Sequence, residues 1–357
     1  MEPGYTVPKR SSILDAMSLK FSDHRDQIVT QIENSTAVSF TTDIWTSVRM
    51  EAYMAVTCHF ITREWKLRNF VLETKVMEVN HTGVNIAEQL GEVADTFAIP
   101  NYKREAVVHD NASNMKLCTE TLKKEPEKWG NVQGVYCSGH TLQLCINTAL
   151  KQDRIRRTVC GCQESRGTLQ KKSKGYSCVE RQKQLNIVVH TLTNDVATRW
   201  NSTCEMLDRL VEQRWPVTAV LSDPSITKKA DRTLDLTADQ WKLAQETAEV
   251  LGPLITLTEL LSQEENVSLS ATMQMLFNLK RRHLSPKEDD SPAIREVKKT
   301  LVTEIDSRWK LSLLEPSSIY LLSSALDQRF KQLKFLTNEK KDLVYIEVVR
   351  LAEHLHQ

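Results

Sequence analysis

Three strand-like runs in succession, joined by short connections, constrain this chain more than any other feature. From Ala37 to Thr46, Val38, Phe40, Thr42 and Ile44 alternate with Ser39, Thr41 and Asp43, the period-two pattern of a half-buried strand. Tyr53 to Thr62 is a second run, rich in β-branched and aromatic residues, and Lys66 to Met77 is a third, with Leu67, Phe70 and Leu72. Arg49, Met50 and Glu51 suit a hairpin turn, so the three runs predict an antiparallel meander. The period then changes. Thr82 or Gly83 opens a helix to about Phe97, with Val84, Ala87, Leu90, Val93, Ala94 and Phe97 near one face, and Pro100 ends it. Two strand–helix pairs follow, at 106–109 with 114–124 and at 132–136 with 138–150.

The order β-β-β-α-β-α-β-α predicts a mixed five-stranded sheet covered by helices, the layout of an RNase H-like fold. In that layout the first and fourth strands are neighbours. Asp43 lies near the end of the first; Asp110 stands at the tip of the fourth, where Ala106-Val107-Val108 runs into His109-Asp110-Asn111. Adjacent strands lie ~4.8 Å apart. That spacing suits two carboxylates sharing divalent ions in phosphoryl transfer. A purely structural role also fits, since Asp is a common turn residue and Ser113 is placed to cap the next helix.

The flanking segments divide the chain further. Ser11-Ser12 opens a helical lead-in over residues 1–34, with Ile13, Leu14, Met17, Phe21, Ile28 and Ile32 as its apolar residues; the RNase H-like domain is expected over 35–155. Residues 151–183 hold ten Lys and Arg against three acids, and Gly161, Gly167 and Gly175 interrupt any helix, so 156–190 reads as a basic flexible connection. Residues 191–357 read as all-α. Thr237-Ala238-Asp239-Gln240 is a capping box, and Ser291-Pro292 is an N-cap followed by Pro at the first helical position.

Formal net charge is +1, so the whole molecule does not steer toward a polyanion, and any nucleic-acid contact must come from a local patch. Lys171, Lys172 and Lys174 are the candidates for phosphate contacts. Eight cysteines show no framework spacing and accompany no apolar leader, which points to a reducing, intracellular setting. No apolar run is long enough to span a bilayer, so no membrane partner is expected.

Five segments, taken in order, resemble the catalytic core of hAT-type DNA transposases, and especially the host proteins derived from them, the zinc finger BED domain-containing proteins. They are Ser39 to Ser47 (SFTTDIWTS), Val107 to Met115 (VVHDNASNM), Cys137 to Leu144 (CSGHTLQL), Asp195 to Thr203 (DVATRWNST) and Ser324 to Lys331 (SALDQRFK), the last with Gln328 where the family has proline. The resemblance covers most of residues 5–340. It implies that Asp43 and Asp110 are the first two members of an acidic metal-binding triad. The third, a Glu, belongs to a C-terminal dimerisation segment. That segment and the N-terminal BED finger are both expected to be lacking here.

Two carboxylates hold one Mg or Mn ion weakly, because Mg²⁺ keeps several waters, whereas in-line cleavage needs both oxygens clamped. The expectation is therefore a relic or weak metal site and no enzyme, within a transposase-derived nuclear protein. Its expected work is DNA-associated regulation of transcription or protein interaction, with weak, non-specific DNA binding and other nuclear proteins as partners. The alternative is an active metal-dependent transposase or nuclease. Cys137 and His140 are half of a zinc site without a second half, and Cys160, Cys162, Cys178 and His190 match no standard spacing; no zinc is expected. Cys137 and His140 are expected to pack the sheet end beside Asp110. Arg199 and Trp200 are expected to join the all-α part to the sheet, Trp200 as a buried anchor. Lys280-Arg281-Arg282-His283 suits either an import signal or an exposed helix end.

Overall fold

The computed structural model describes residues 8–196, 200–263 and 268–354. It divides into two compact units, Met1–His140 and Thr141–Gln357, the division falling within one helix.

The first unit opens with α1 (Arg10–Glu33), followed by the meander β1 (Val38–Thr46), β2 (Ala52–Ile61) and β3 (Leu67–Val76). After α2 (Gly83–Thr96) come β4 (Arg104–His109), α3 (Ser113–Lys123), the single turn α4 (Pro126–Trp129), β5 (Gln133–Tyr136) and α5 (Ser138–Leu150). The sheet order is β3-β2-β1-β4-β5. β1 pairs antiparallel with β2 and parallel with β4, and β4 pairs parallel with β5. This is the mixed five-stranded RNase H-like sheet that the strand periodicity predicts.

One face of the sheet carries the core. Phe40, Val56 and Val107 meet Ile86, Leu90 and Val93 of α2 and Met115, Cys118 and Leu122 of α3. Two buried cations pin its margins. Lys103 Nζ donates to the carbonyls of Ile32 and Glu33, satisfying the open C-terminal end of α1. Arg104 donates to the Ile99 carbonyl and to Asp95 and lies 4.8 Å from the Trp129 ring centroid, which sets the start of β4. Where α2 meets α3 there is no room for a side chain at Gly83: a Cβ there would stand 2.6 Å from Leu117 Cβ and 2.7 Å from the Cys118 nitrogen. Gly83→Ala is therefore expected to destabilise the first unit by about 1–3 kcal/mol, a typical overpacking cost. Urea denaturation with β-sheet circular dichroism checks it; an unchanged midpoint would mean that the helices part freely.

The second unit is helical. Its members are α6 (Asp153–Leu169), α7 (Lys172–Gln184), α8 (Trp200–Glu212), α9 (Arg214–Ser222), α10 (Lys229–Arg232), α11 (Ala238–Leu261), α12 (Leu269–Arg282), α13 (Pro292–Arg308), α14 (Ile319–Leu326) and α15 (Asn338–His354). Thr237 forms the reciprocal capping box with Gln240, and Ser291 caps α13 ahead of Pro292. The apolar face of α5 (Leu142, Cys145, Ile146, Ala149) belongs to this unit's core.

One expectation changes here. Residues 156–190, expected as a flexible basic connection, form most of α6 and all of α7. Tertiary packing overrides the glycines: Gly161 sits where a Cβ would lie 3.1 Å from Leu236, so the small residue admits close packing, and Ile155, Cys162, Leu169 and Cys178 are buried in the helical core. Trp200, expected as a buried anchor, is 4% exposed and belongs to the core of the helical unit. Among the described residues no helix is long and apolar enough to cross a membrane.

Candidate functional site

The β1–β4 register pairs Phe40 with Val107 and Thr41 with Val108. Carried two residues further, it sets Asp43 opposite Asp110 on the face away from Phe40 and Val107. Both aspartates line one pocket of about 210 Å³, walled also by Trp45, His81, Asn114 and Met115. Sequence spacing thus names the two carboxylates that the fold brings together.

Each carboxylate is positioned by its own backbone. Asp110 Oδ1 accepts from the Ala112 N–H at 2.9 Å, the side-chain turn that Asp favours at a strand tip. Ser113 is the first residue of α3, and Ala112, at the cap position, has no side-chain cap bond. Asp43 Oδ1 accepts from the Ile44 N–H at 2.9 Å. In both cases the second carboxylate oxygen has no hydrogen bond with a donor among the described residues.

His109 stands behind Asp110. It is 2% exposed, its Nδ1 is 2.5 Å from the Asp110 carbonyl oxygen, and its ring meets Tyr136 edge-on at 5.3 Å. Facing a carbonyl, Nδ1 donates; burial lowers the ring's pKa, and the bond to the Asp110 carbonyl only partly offsets this. Asn114 Nδ2 donates to the His81 carbonyl and holds the β3–α2 loop at the pocket wall. Trp45 stacks on Tyr53 with centroids 5.8 Å apart and remains 41% exposed. His81 and Trp45 carry no spacing signal that would single them out in the sequence.

The other expected residues fall elsewhere. The Cys137 N–H donates to the His109 carbonyl at 2.7 Å, which extends the β4–β5 ladder beside Asp110, and His140 is half-buried on α5. Arg199 and the side chain of Lys172 lie outside the described residues. Lys171 is exposed, but Lys174 is 6% exposed and bound to Asp231 at 2.6 Å, so its ammonium is committed to the fold and not to phosphate. Burial pushes the Cys162 and Cys178 thiols up to about 12 and about 11.

The donor set of the pocket is two carboxylates, hard oxygen ligands of the kind Mg²⁺ and Mn²⁺ take. Among the described residues no group of three or more His, Cys, Asp or Glu side chains is placed to hold a metal. Asp43 and Asp110 would hold one ion, which would supply Lewis-acid polarisation of a phosphoryl oxygen.

Two family models match the chain in sequence order: the ZBED1 RNase-like domain over residues 41–134 and the ZBED1 RNase-like helical domain over 135–250. Zinc finger BED domain-containing protein 4 of Homo sapiens is 23% identical over 96% of this chain and 29% of its own length. The Putative AC transposase of Zea mays is 22% identical over 93% of this chain and 41% of its own. The Putative transcriptional regulator tpeD of Talaromyces stipitatus is 21% identical over 79% and 36%. The chain thus spans well under half the length of each of these relatives. Its sheet order, its helical second unit and these matches agree: the chain belongs to the hAT transposase-derived family that includes the zinc finger BED domain-containing proteins.

Proposed function

We propose that this protein is a nuclear, DNA-associated regulatory module built on a transposase scaffold, and that the pair Asp43 and Asp110 does not by itself carry out strand transfer. The observation that carries the reading is the donor set: two carboxylates, and no third acidic side chain among the residues lining a pocket of about 210 Å³. In-line displacement needs the attacking and leaving oxygens held together, and two carboxylates leave most of one ion's coordination to water. The relative named as a transcriptional regulator supports the regulatory part. DNA association is weak and sequence-independent in this reading, carried by exposed cations such as Arg154, Arg157 and Lys171, with Lys172 next to the last of them in the chain.

A plasmid-nicking assay in Mg²⁺ and Mn²⁺ tests the chemistry. The wild type and Asp110→Asn are expected to be equally silent, and the asparagine keeps the bond to the Ala112 N–H. Metal-dependent nicking that Asp110→Asn abolishes would establish the enzyme instead. A salt titration of duplex binding tests the partner. Lys171→Gln with Lys172→Gln should weaken binding to all sequences alike and flatten the salt slope by about two units, near 0.9 for each phosphate no longer neutralised. Lys174→Gln should act on stability, because it strips the partner from Asp231.

A further inference from the structure

The segment Ser324–Lys331 has no part in the carboxylate pocket. In the helical unit its Arg329 and Phe330, with Lys334 and Phe335 beyond it, form one wall of a cleft of about 550 Å³ whose other wall is the C-terminal half of α12. Asp327 builds that wall. Its carboxylate accepts from Arg329 Nη2 at 2.7 Å and from Ser270 Oγ at 2.7 Å, which ties the turn after α14 to the start of α12. The Arg329 bonds, with help from Ser270, hold the Asp327 carboxyl well below the usual carboxylate range.

Three half-buried phenylalanines line the cleft. Phe277 and Phe335 stack with centroids 5.2 Å apart, and Phe330 lies under the Arg329 guanidinium at 5.1 Å. The rim is cationic. Arg281, Arg282 and Lys334 are exposed, and among the described residues none of the three has an acidic partner. The neighbouring Lys280 instead pairs with Asp306. No carboxylate is among the residues lining the cleft. The Arg281 and Arg282 charges also suit the C-terminal end of a helix, but that does not account for Lys334 or the aromatic floor.

We propose that this cleft binds a single strand of nucleic acid, with phosphates on Arg281, Arg282 and Lys334 and an unstacked base against the phenylalanine floor. Cations along a groove with aromatic rings beneath them are what a single strand requires. A duplex offers its phosphates to the rim but keeps its bases stacked away from the floor. The proposal rests on the nucleic-acid-associated reading above and adds to it a single-strand site distinct from the cations of residues 154–172.

The test is fluorescence anisotropy on the full chain. The probes are a labelled oligothymidylate of about a dozen nucleotides, within the span that one such groove covers, a duplex of equal length, and an abasic phosphodiester strand of equal length. The wild type should bind the oligothymidylate about 10-fold or more tightly than the abasic strand, the share expected of base stacking. Combined Arg281→Gln, Arg282→Gln and Lys334→Gln should weaken oligothymidylate binding about 10-fold and reduce its salt slope by about two units. The abasic comparison uses wild-type protein and does not depend on how that variant folds. Equal affinity for the abasic strand, or displacement by inorganic polyphosphate as readily as by oligothymidylate, would reduce the cleft to a general anion patch and overturn the proposal. Duplex binding with no oligothymidylate binding, or oligothymidylate binding untouched by the triple substitution, would overturn it while leaving DNA association intact. Failure to bind any nucleic acid would overturn both.

Discussion

Replacing Trp200 with alanine is expected to cost the helical unit about 3–5 kcal/mol, the usual range for emptying a buried aromatic site. Trp200 opens α8 and is 4% exposed in a core with Cys204, Leu207 and Leu142, all fully buried. The residues around it are held by several helices, so the void left by an indole does not collapse without moving one of them. Chemical denaturation followed by helical circular dichroism measures the loss. Trp215, 61% exposed with Arg214 over its ring, is the internal control: Trp215→Ala should stay within about 0.5 kcal/mol of wild type. Equal midpoints for the two variants would show that Trp200 does not hold the core together.

Replacing Lys298 with methionine is expected to cost a comparable amount, about 3–5 kcal/mol at neutral pH, by leaving a buried charge without its partner. The Lys298 side chain is 3% exposed and the Asp290 side chain 10%. Lys298 Nζ reaches both Asp290 oxygens, at 2.8 and 2.7 Å, and Asp290 also accepts from the Lys287 N–H at 2.7 Å. The pair fastens the charged loop before α13 onto that helix. Burial alone raises the Asp290 carboxyl, but the Lys287 N–H and the Lys298 ammonium together outweigh it and hold the carboxyl below its ordinary 3.8. The sign follows from linkage. A carboxyl depressed on folding stabilises the protein above its unfolded value, and that contribution fades as pH falls through the folded value. Wild type should therefore lose this part of its stability below about pH 4, where the unfolded carboxyl begins to bind its proton. Lys298→Met, which leaves the Lys287 N–H but not the ammonium to hold the carboxylate charged, should lose less stability over the same interval. Adding Asp290→Asn should recover part of the loss at neutral pH by removing the stranded charge. Parallel stability–pH curves for wild type and Lys298→Met would refute the coupling.

Much of the fold was legible because its signals are local. Period-two alternation marked β1, the turn residues Arg49 to Glu51 marked the hairpin, and the element order then left few sheet topologies. Thr237 with Gln240, and Ser291 with Pro292, marked two helix starts because a cap is written within four residues. Asp43 and Asp110 were legible for the same reason: Asp43 lies in the last half of β1 and Asp110 just follows β4, two strands whose adjacency follows from the element order.

What was not legible depended on partners distant in the chain. Gly161 has the look of a helix breaker, but Leu236 packs where its side chain would have been. Lys174 has the look of a free phosphate ligand, but its carboxylate partner, Asp231, lies 57 residues away. Trp200 was readable as a buried anchor, but no local pattern says which core buries it. His81 and Trp45 reach the pocket only because the sheet and the β3–α2 loop bring them there.

By itself, then, the sequence determined the kind and order of the sheet unit's elements, two helix caps and the two carboxylates near the ends of β1 and β4, since backbone period and turn chemistry act over a few residues. Only the tertiary structure decided which cations are spent on ion pairs and which stay open to a ligand, and that the turn holding Arg329 and Phe330 faces the Arg281 end of α12. Desolvation and pairing act between residues that the fold, and not the chain order, makes neighbours.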